Sequence, residues 1–564
     1  MEEGNIVGIY LNPSKTAFQI SVNSEIFVDK SEMLTHLNSV VNTQQRFVSV
    51  SRPRRFGKTM AADMVCAYFG REANSRDLFE ACKLSSVATC TEGKRELAWD
   101  AYLGQFDVLR LVMTEFIEDA KNVSDFLVNL TEETVSELTA AYPDIPYGKT
   151  NKLRYVMNKV FAHTERQFVV VIDEWDALFR VWKDDKEGQE KYLEFLRDLL
   201  KDKSYIALAY MTGILPIKKY GQHSALNMFT EYSMTFPRQL APYTGFTEEE
   251  VAHLCRAYGR DFHAIKDWYD GYEVSDIIPP DPDHKEQKAT GKPLTAKRYA
   301  LYSPLSVVEA MTTGKIQDYW NKSETYEALA EYIRKDYDGL KDAVALLMDG
   351  GRLKIDTSTY QNDMTTFHGR DDVLSLLIHL GYLGYDDDSG EVFIPNKEIL
   401  DEFKTSTQGN EWSDIFQTYE MSEQLLQATW NADASRVAEL VEQAHHRAGN
   451  KTYHDEAALS YSIQLAYYAA HKYYTDIQEL DTGKGYADIV YIPGPRYAEK
   501  PVLLIELKYN QEASTAIDQI RRQKYPERLQ HYQGNILLIG INYDRDVPST
   551  DASFKHHTCV IELA

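Results

Sequence analysis

One stretch near the N-terminus constrains the fold more than any other: RFVSVS (46–51) runs through RPRRFGKT (52–59) into TMAADMVCAYFG (59–70). A strand that ends in a tight Gly-Lys-Thr loop and passes straight into a helix belongs to an α/β layer. The helix N-terminus then presents free N–H groups and partial positive charge to an anion. In that setting Lys58 reaches the β- and γ-phosphates of a nucleotide, Gly57 lets the backbone come close, and the Thr59 hydroxyl sits on Mg²⁺. Arg52, Pro53, Arg54, Arg55 and Phe56 make up the rest of the cradle. Arg52 stands where the usual G-x-x-x-x-G-K-[ST] pattern has glycine.

A second motif supports the first. FVVVIDEWDALF (168–179) is a buried apolar strand that ends in two adjacent carboxylates, about 115 residues after the Gly-Lys-Thr. Asp173 is placed to hold Mg²⁺ through its water shell, and Glu174 to orient or deprotonate an attacking water. Asp176 either caps the next helix or assists. A further strand, YIALAYMTG (205–213), ends in Thr212. Two readings of Thr212 stand, a γ-phosphate sensor or simply a threonine that ends a strand. Lys218, Lys219 and Arg238 are candidate cationic contacts, with surface charge as the alternative.

The rest of the chain divides by texture. Residues 1–250 alternate short β-branched runs with helical patterns, as an α/β core does, with QFDVLRLVM (105–113) as a further strand. Residues 251–365 form a helical extension with a Pro- and charge-rich insertion at 275–300, expected as a loop. Residues 366–450 hold the apolar helix DDVLSLLIHLGYL, an acidic DDDSG turn, the strand EVFIPN and a helical linker, an order that is winged-helix-like. Residues 451–564 form a last α/β unit.

Five scattered cysteines (Cys66, Cys82, Cys90, Cys255, Cys559) offer neither a zinc ribbon nor a disulfide framework and suit a reducing compartment. The N-terminus has no basic n-region or apolar core, and no run of 18 apolar residues occurs, so neither a signal peptide nor a membrane span is expected. The expected location is cytoplasmic.

The segments FVDKSEM (27–33), VSRPRRFGKT (50–59), VVVIDEWDALF (169–179), MTGILPIKK (211–219), GFTEEEV (245–251), WYDGYEV (268–274) and LYSPLSVVEAM (301–311) resemble the AAA-ATPase-like family of P-loop proteins, close to the archaeal STAND-type ATPases. The resemblance spans about residues 5–320. In that family RPRRFGKT is the usual loop, so Arg52 is not a defect. The resemblance implies an ATP-binding core with Lys58, Thr59, Asp173 and Glu174 in the roles above, and commonly a C-terminal nuclease-like domain.

The last unit carries its own motif. Asp488 in GYADIVY lies 18 residues before Glu506 in LLIELKYN. Glu506 and Lys508, two apart on one strand, share a face, and a paired strand brings Asp488 beside Glu506. Two converging carboxylates suit Mg²⁺, with Mn²⁺ as a substitute. Lys508 then positions water or stabilises charge on a phosphoryl oxygen. This D…ExK pattern resembles the PD-(D/E)xK nuclease superfamily, with Ala487 in place of the nominal proline. The resemblance implies Glu456 as a further acid at the metal and Gln519 and Tyr525 as polar residues lining the site. RRQK (521–524) reads as a phosphate contact or as a solvated helix face.

The fold class expected is therefore α/β: a P-loop NTPase core, a helical and winged-helix-like middle, and a restriction-endonuclease-like C-terminal domain. The function expected is an ATP-binding and hydrolysing regulator fused to a Mg²⁺-dependent nuclease, acting on nucleic acid and above all DNA; a context of phage defence or mobile elements is what the family resemblance implies. The alternative is a nucleotide-dependent switch whose C-terminal domain binds nucleic acid or protein without cleaving it. Neither reading needs a membrane, and both allow a homo-oligomer. The formal charge of −25 speaks against a chain-wide nucleic-acid coat. It is unevenly spread, since residues 451–564 hold 12 Lys and Arg against 15 Asp and Glu.

Overall fold

A computed structural model of the 564-residue chain describes residues 8–71, 73–87, 90–92, 95–149, 151–217, 226–277, 296–320, 326–335, 337, 339–448, 463, 466–481, 486–523, 536–544 and 556–564. It divides into two compact units, one of residues 1–332 with 354–402 and one of residues 333–353 with 403–564.

The near-continuous apolar runs of the first unit become a parallel sheet. Its strands are β1 (Phe47–Ser51), β2 (Asp107–Val112), β3 (Phe168–Asp173), β4 (Ile206–Gly213) and the short β5 (Thr230–Tyr232). They lie in the order β2-β3-β4-β1-β5, all parallel. Every residue of β1, β3 and β4 is buried, as strands covered on both faces require. Val48, Val50, Val169 and Val171 pack with Ala61, Met64, Val65 and Tyr68 of helix α1 (Lys58–Phe69). Helices α2 (Val123–Ala141), α3 (Leu153–Thr164) and α4 (Lys186–Leu200) also belong to this unit, with Phe126 of α2 edge-on to Tyr192 of α4 at 5.8 Å.

Beyond this sheet the stretch expected as a loop at 275–300 begins and ends in strand. A small antiparallel sheet joins β6 (Phe246–Thr247), β7 (Tyr272–Ile277) and β8 (Ala296–Tyr302), with β8 in the middle. The pairing runs from Tyr272 opposite Leu301 to Ile277 opposite Ala296. The aromatic and β-branched residues Tyr272, Val274, Tyr299 and Tyr302 favour such a ladder, whereas the proline-rich 278–295 lies outside the described residues. Helices α5 (Glu248–Tyr258, with a Thr247/Glu250 capping box), α6 (Phe262–Tyr269) and α7 (Pro304–Thr313, proline in its first turn) pack on it. Helix α8 (Arg370–Leu380) and the hairpin β9 (Gly384–Asp386) to β10 (Glu391–Phe393) complete the first unit's helix-then-hairpin element.

The second unit contains helices α9 (Asn410–Trp430) and α10 (Ala434–Ala448) and a five-stranded sheet. Its strands β11 (Tyr474–Asp481), β12 (Tyr486–Pro493), β13 (Val502–Tyr509), β14 (Ile536–Tyr543) and β15 (His557–Leu563) follow in chain order. All neighbours are antiparallel except β13 and β14, which helix α11 (Ala513–Gln523) separates in sequence. Leu503, Ile505 and Leu507 join the core formed with α9 and α10, while Val502 and Leu504 join the one formed with Ile517 and Ile520 of α11. The closing strand β15 was not among the sequence expectations. Among the described residues no helix is long and apolar enough to cross a membrane.

Candidate functional site

Strand order decides what meets at the first site. Because β4 lies between β1 and β3, the loop after β1 and the carboxylates after β3 flank the end of β4. Val50 is opposite Thr212, and Ile172 opposite Met211. Asp173 is buried and accepts hydrogen bonds from the Thr212 hydroxyl and, at 3.0 Å, from the Glu174 N–H. Thr212 thus fixes the Asp173 carboxylate, and its own carbonyl accepts the Trp175 N–H at 3.0 Å.

The loop itself is shaped by two left-handed residues, Arg55 (φ +67°) and Gly57 (φ +81°). A side chain at Gly57 would meet nothing within 4 Å, so the space before it is open, and the constraint there is the backbone angle. Lys58 Nζ donates to the carbonyls of Arg52 (3.0 Å) and Pro53 (2.7 Å). Burial pulls this ammonium down to about 8, against the opposing pull of Asp176, Asp173 and Glu174. Thr59 is exposed on the first turn of α1. Phe56 is buried edge-on to Tyr272 at 5.2 Å, its carbonyl held by the Gly245 N–H.

The arginines of the loop separate in role. Arg52 is fully buried, its Nη1 donating to the carbonyls of Ser51 and Tyr232 at 2.9 Å each, and burial lowers it to about 10. What Arg52 offers the loop is therefore its carbonyl, not its guanidinium. Arg55 donates to the Tyr319 carbonyl at 3.4 Å, and Arg54 is half-buried. Arg238 lies over the Phe236 ring at 4.3 Å, and Lys218 and Lys219 lie outside the described residues.

The cation that does reach the carboxylates is Arg180, which the motif reading missed. Its Nη2 is 3.0 Å from Glu174 Oε2, and its Nε 3.4 Å from Asp176 Oδ2. Asp176 is fully buried and accepts the N–H groups of Ile214 (3.2 Å) and Leu215 (3.1 Å), so it ties the Glu174 turn to the end of β4. The i,i+4 spacing from Asp176 to Arg180 was the available signal. On α1 itself, Asp63 pairs with Arg110 of β2 at 2.6 Å, and burial and the nearby Asp173 raise it to about 6 despite that partner.

In the second unit Glu506 and Lys508 follow Val502 and Leu504 on the α11 face of β13. Glu506 is 1% and Lys508 7% exposed, an arrangement that costs too much unless the charges meet. Lys508 Nζ donates to Glu506 Oε1 (3.1 Å) and to the Leu507 carbonyl (2.9 Å), and Gln519 of α11 donates to the same Glu506 oxygen. The helix comes close because β14 has glycine opposite Glu506. A Cβ on Gly540 would stand 2.4 Å from the Ala513 carbonyl oxygen. Opposite Lys508 is the buried Asn542, which accepts the Gln511 N–H at 3.0 Å and so fixes the start of α11. Across the other edge of β13 the ladder pairs Tyr491 with Leu503, Val490 with Leu504 and Ile489 with Ile505, so the described pairing ends one residue short of Asp488 and Glu506. Glu456 and Tyr525 lie outside the described residues, as does the Asp488 side chain. Among the described residues no three His, Cys, Asp or Glu side chains gather as a metal site.

At the first site, the open left-handed loop, the buried lysine on loop carbonyls and the α1 N-terminus suit a polyphosphate. At the second, the described residues place one carboxylate, Glu506, beside a lysine; a hard divalent cation there needs further oxygen donors, for which the sequence offers Asp488 and Glu456. Together they define a P-loop ATPase-type unit and a nuclease-type unit in one chain. Residues 16–222 match the family model of the predicted AAA-ATPases, and residues 458–548 that of the PD-(D/E)XK nuclease superfamily. The chain therefore carries a predicted AAA-ATPase domain followed by a C-terminal PD-(D/E)XK nuclease superfamily domain. No curated protein matches it. Among solved structures, the ORC2 protein of Aeropyrum pernix (ADPNP-ADP complexes) is 10% identical, the match covering 72% of this chain and 98% of that one at a TM-score of 0.27.

Proposed function

We propose that the chain is an ATP-hydrolysing regulator fused to a divalent-metal-dependent nuclease that cuts nucleic-acid phosphodiesters, DNA being the preferred reading. The observation that carries it is the buried Glu506–Lys508 pair, joined by Gln519 from the crossover helix, on a strand whose antiparallel pairing with β12 runs up to Ile489, the residue after Asp488. A structural ion pair does not need a glutamine on the same carboxylate oxygen. In this reading Asp488, Glu506 and Glu456 hold the metal, Tyr525 lines the site, and Lys508 orients the attacking water or meets charge on the phosphoryl oxygen. A divalent cation, Mg²⁺ or Mn²⁺, supplies neutralisation of phosphate charge at both sites.

At the first site Lys58 binds the β- and γ-phosphates, leaving its carbonyl partners, and Thr59 and Asp173 face the cation. Glu174 orients and deprotonates the water, while Thr212 keeps Asp173 in place. The location in this reading is the cytoplasm, and phage defence or mobile-element biology is its setting. Cleavage of plasmid and single-stranded DNA with Mg²⁺ or Mn²⁺ tests it. Activity is expected to fall at least about a hundredfold in Asp488→Ala and in Lys508→Ala. Cleavage that persists in both variants overturns the assignment and leaves a domain that binds without cutting.

A further inference from the structure

Glu174 needs something to aim it. It sits past the end of β3 on a left-handed backbone (φ +51°), and its side chain is 37% exposed. A glutamate so placed has three side-chain torsions and open solvent on one side. Among the described residues the one donor to its carboxylate is Arg180, at 3.0 Å.

Arg180 is not a loose surface partner. Its side chain is 16% exposed, and its Nε stands against Asp176, whose side chain is fully buried. Asp176 is fixed by two backbone N–H groups from the end of β4. A chain of contacts thus runs from the end of β4 through Asp176 and Arg180 to Glu174, by hydrogen bonds at its two ends and by an ion pair between Asp176 and Arg180. Exposed ion pairs hold little orientation, because both side chains keep their rotamer freedom. A largely buried guanidinium that hydrogen-bonds one carboxylate and is held by ion pairing to a second, fully buried one loses that freedom.

We propose that Arg180 is a positioning residue for Glu174, holding its carboxylate at the angle from which it addresses the attacking water. The inference rests on the ATPase reading above. It assigns Arg180 no contact with the phosphates. Its guanidinium acts through Glu174 alone, with Asp176 as its anchor.

Steady-state ATP hydrolysis and equilibrium binding of ATP and ADP by the full chain test this, comparing wild type, Arg180→Ala, Arg180→Lys, Glu174→Gln and the double variant Arg180→Ala/Glu174→Gln. Arg180→Ala is expected to lower kcat about 10- to 100-fold, part of what a general base contributes. Its Kd for ATP and for ADP is expected to stay within about threefold of wild type, which also reports a folded site. Arg180→Lys, which reaches Glu174 but cannot span both carboxylates, recovers part of the rate. In the Glu174→Gln background the loss of Arg180 costs less than about twofold, because the group it positions is already gone.

An Arg180→Ala rate equal to wild type overturns the proposal while Glu174 dependence upholds the ATPase reading. A selective loss of ATP over ADP affinity makes Arg180 a phosphate ligand and also overturns it. So does a full additive loss in the double variant, which marks a general structural role. A Glu174→Gln variant that hydrolyses ATP at the wild-type rate overturns the ATPase assignment itself, and this proposal with it.

Discussion

Lys58 shows how much of a site's behaviour is set by one buried charge. Its ammonium rests on two neutral carbonyls, Arg52 and Pro53, and burial lowers it to about 8. Phosphate oxygens are negative partners and raise its proton affinity. Nucleotide binding near pH 9 is then coupled to proton uptake, and affinity falls as pH rises through 8, by about tenfold per unit. Titration calorimetry in buffers of different ionisation enthalpy reads that proton directly. Lys58→Ala is expected to lose both the affinity and its pH dependence. At this scale the sequence showed which residues carry charge but not which way they point. Arg52 lies within the loop motif yet sends its guanidinium inward to Tyr232, whereas Arg180 lies outside every motif and reaches Glu174. Thr212 was readable as a polar strand end. That it holds Asp173 follows only from β4 lying between β1 and β3.

At the scale of elements, the second unit depends on two close fits. Helix α11 approaches β14 over Gly540, and Gly540→Ala drives a methyl group into the Ala513 carbonyl. Overpacking of this kind costs about 1–3 kcal/mol. It also lifts Gln519 away from Glu506, so urea unfolding and cleavage are expected to weaken together. The second fit is Glu442 of α10, which accepts the N–H groups of His556 (3.1 Å) and His557 (3.0 Å) and both imidazole Nδ1 atoms at the start of β15. Burial pushes this carboxylate up, but the bonds from His557 and His556 outweigh it and hold it down at about 2. A depressed carboxylate stabilises the fold above its ordinary range near 4.5, and that share is lost as pH falls toward 2. Glu442→Gln is therefore expected to lower the urea midpoint at pH 6 and to converge on wild type as pH approaches 2. The strands of the first sheet were legible because doubly covered strands are almost wholly apolar. The hairpin ends at 272–277 and 296–302 and the last strand, HTCVIEL, were not, because their partners are distant or their polar residues mask the alternation.

For the whole molecule, the charge of −25 is distributed in a way that suits its two units. Residues 451–564 carry only 12 basic against 15 acidic residues, and three of those acids belong to the metal site in the proposed reading. The remaining excess of acid falls on the rest of the chain, which weakens any contact with nucleic acid not made at the nuclease itself. Binding is accordingly expected to be weak, with the shallow salt dependence that few phosphate contacts give. In the proposed reading the nucleotide site governs the nuclease site. The most direct test compares DNA cleavage with and without ATP, in Mg²⁺, for wild type and for Lys58→Ala. ATP is expected to change the wild-type cleavage rate by about tenfold, a coupling of ~1.4 kcal/mol, and to leave Lys58→Ala unmoved. Cleavage that is equal in both proteins, with or without ATP, would contradict it.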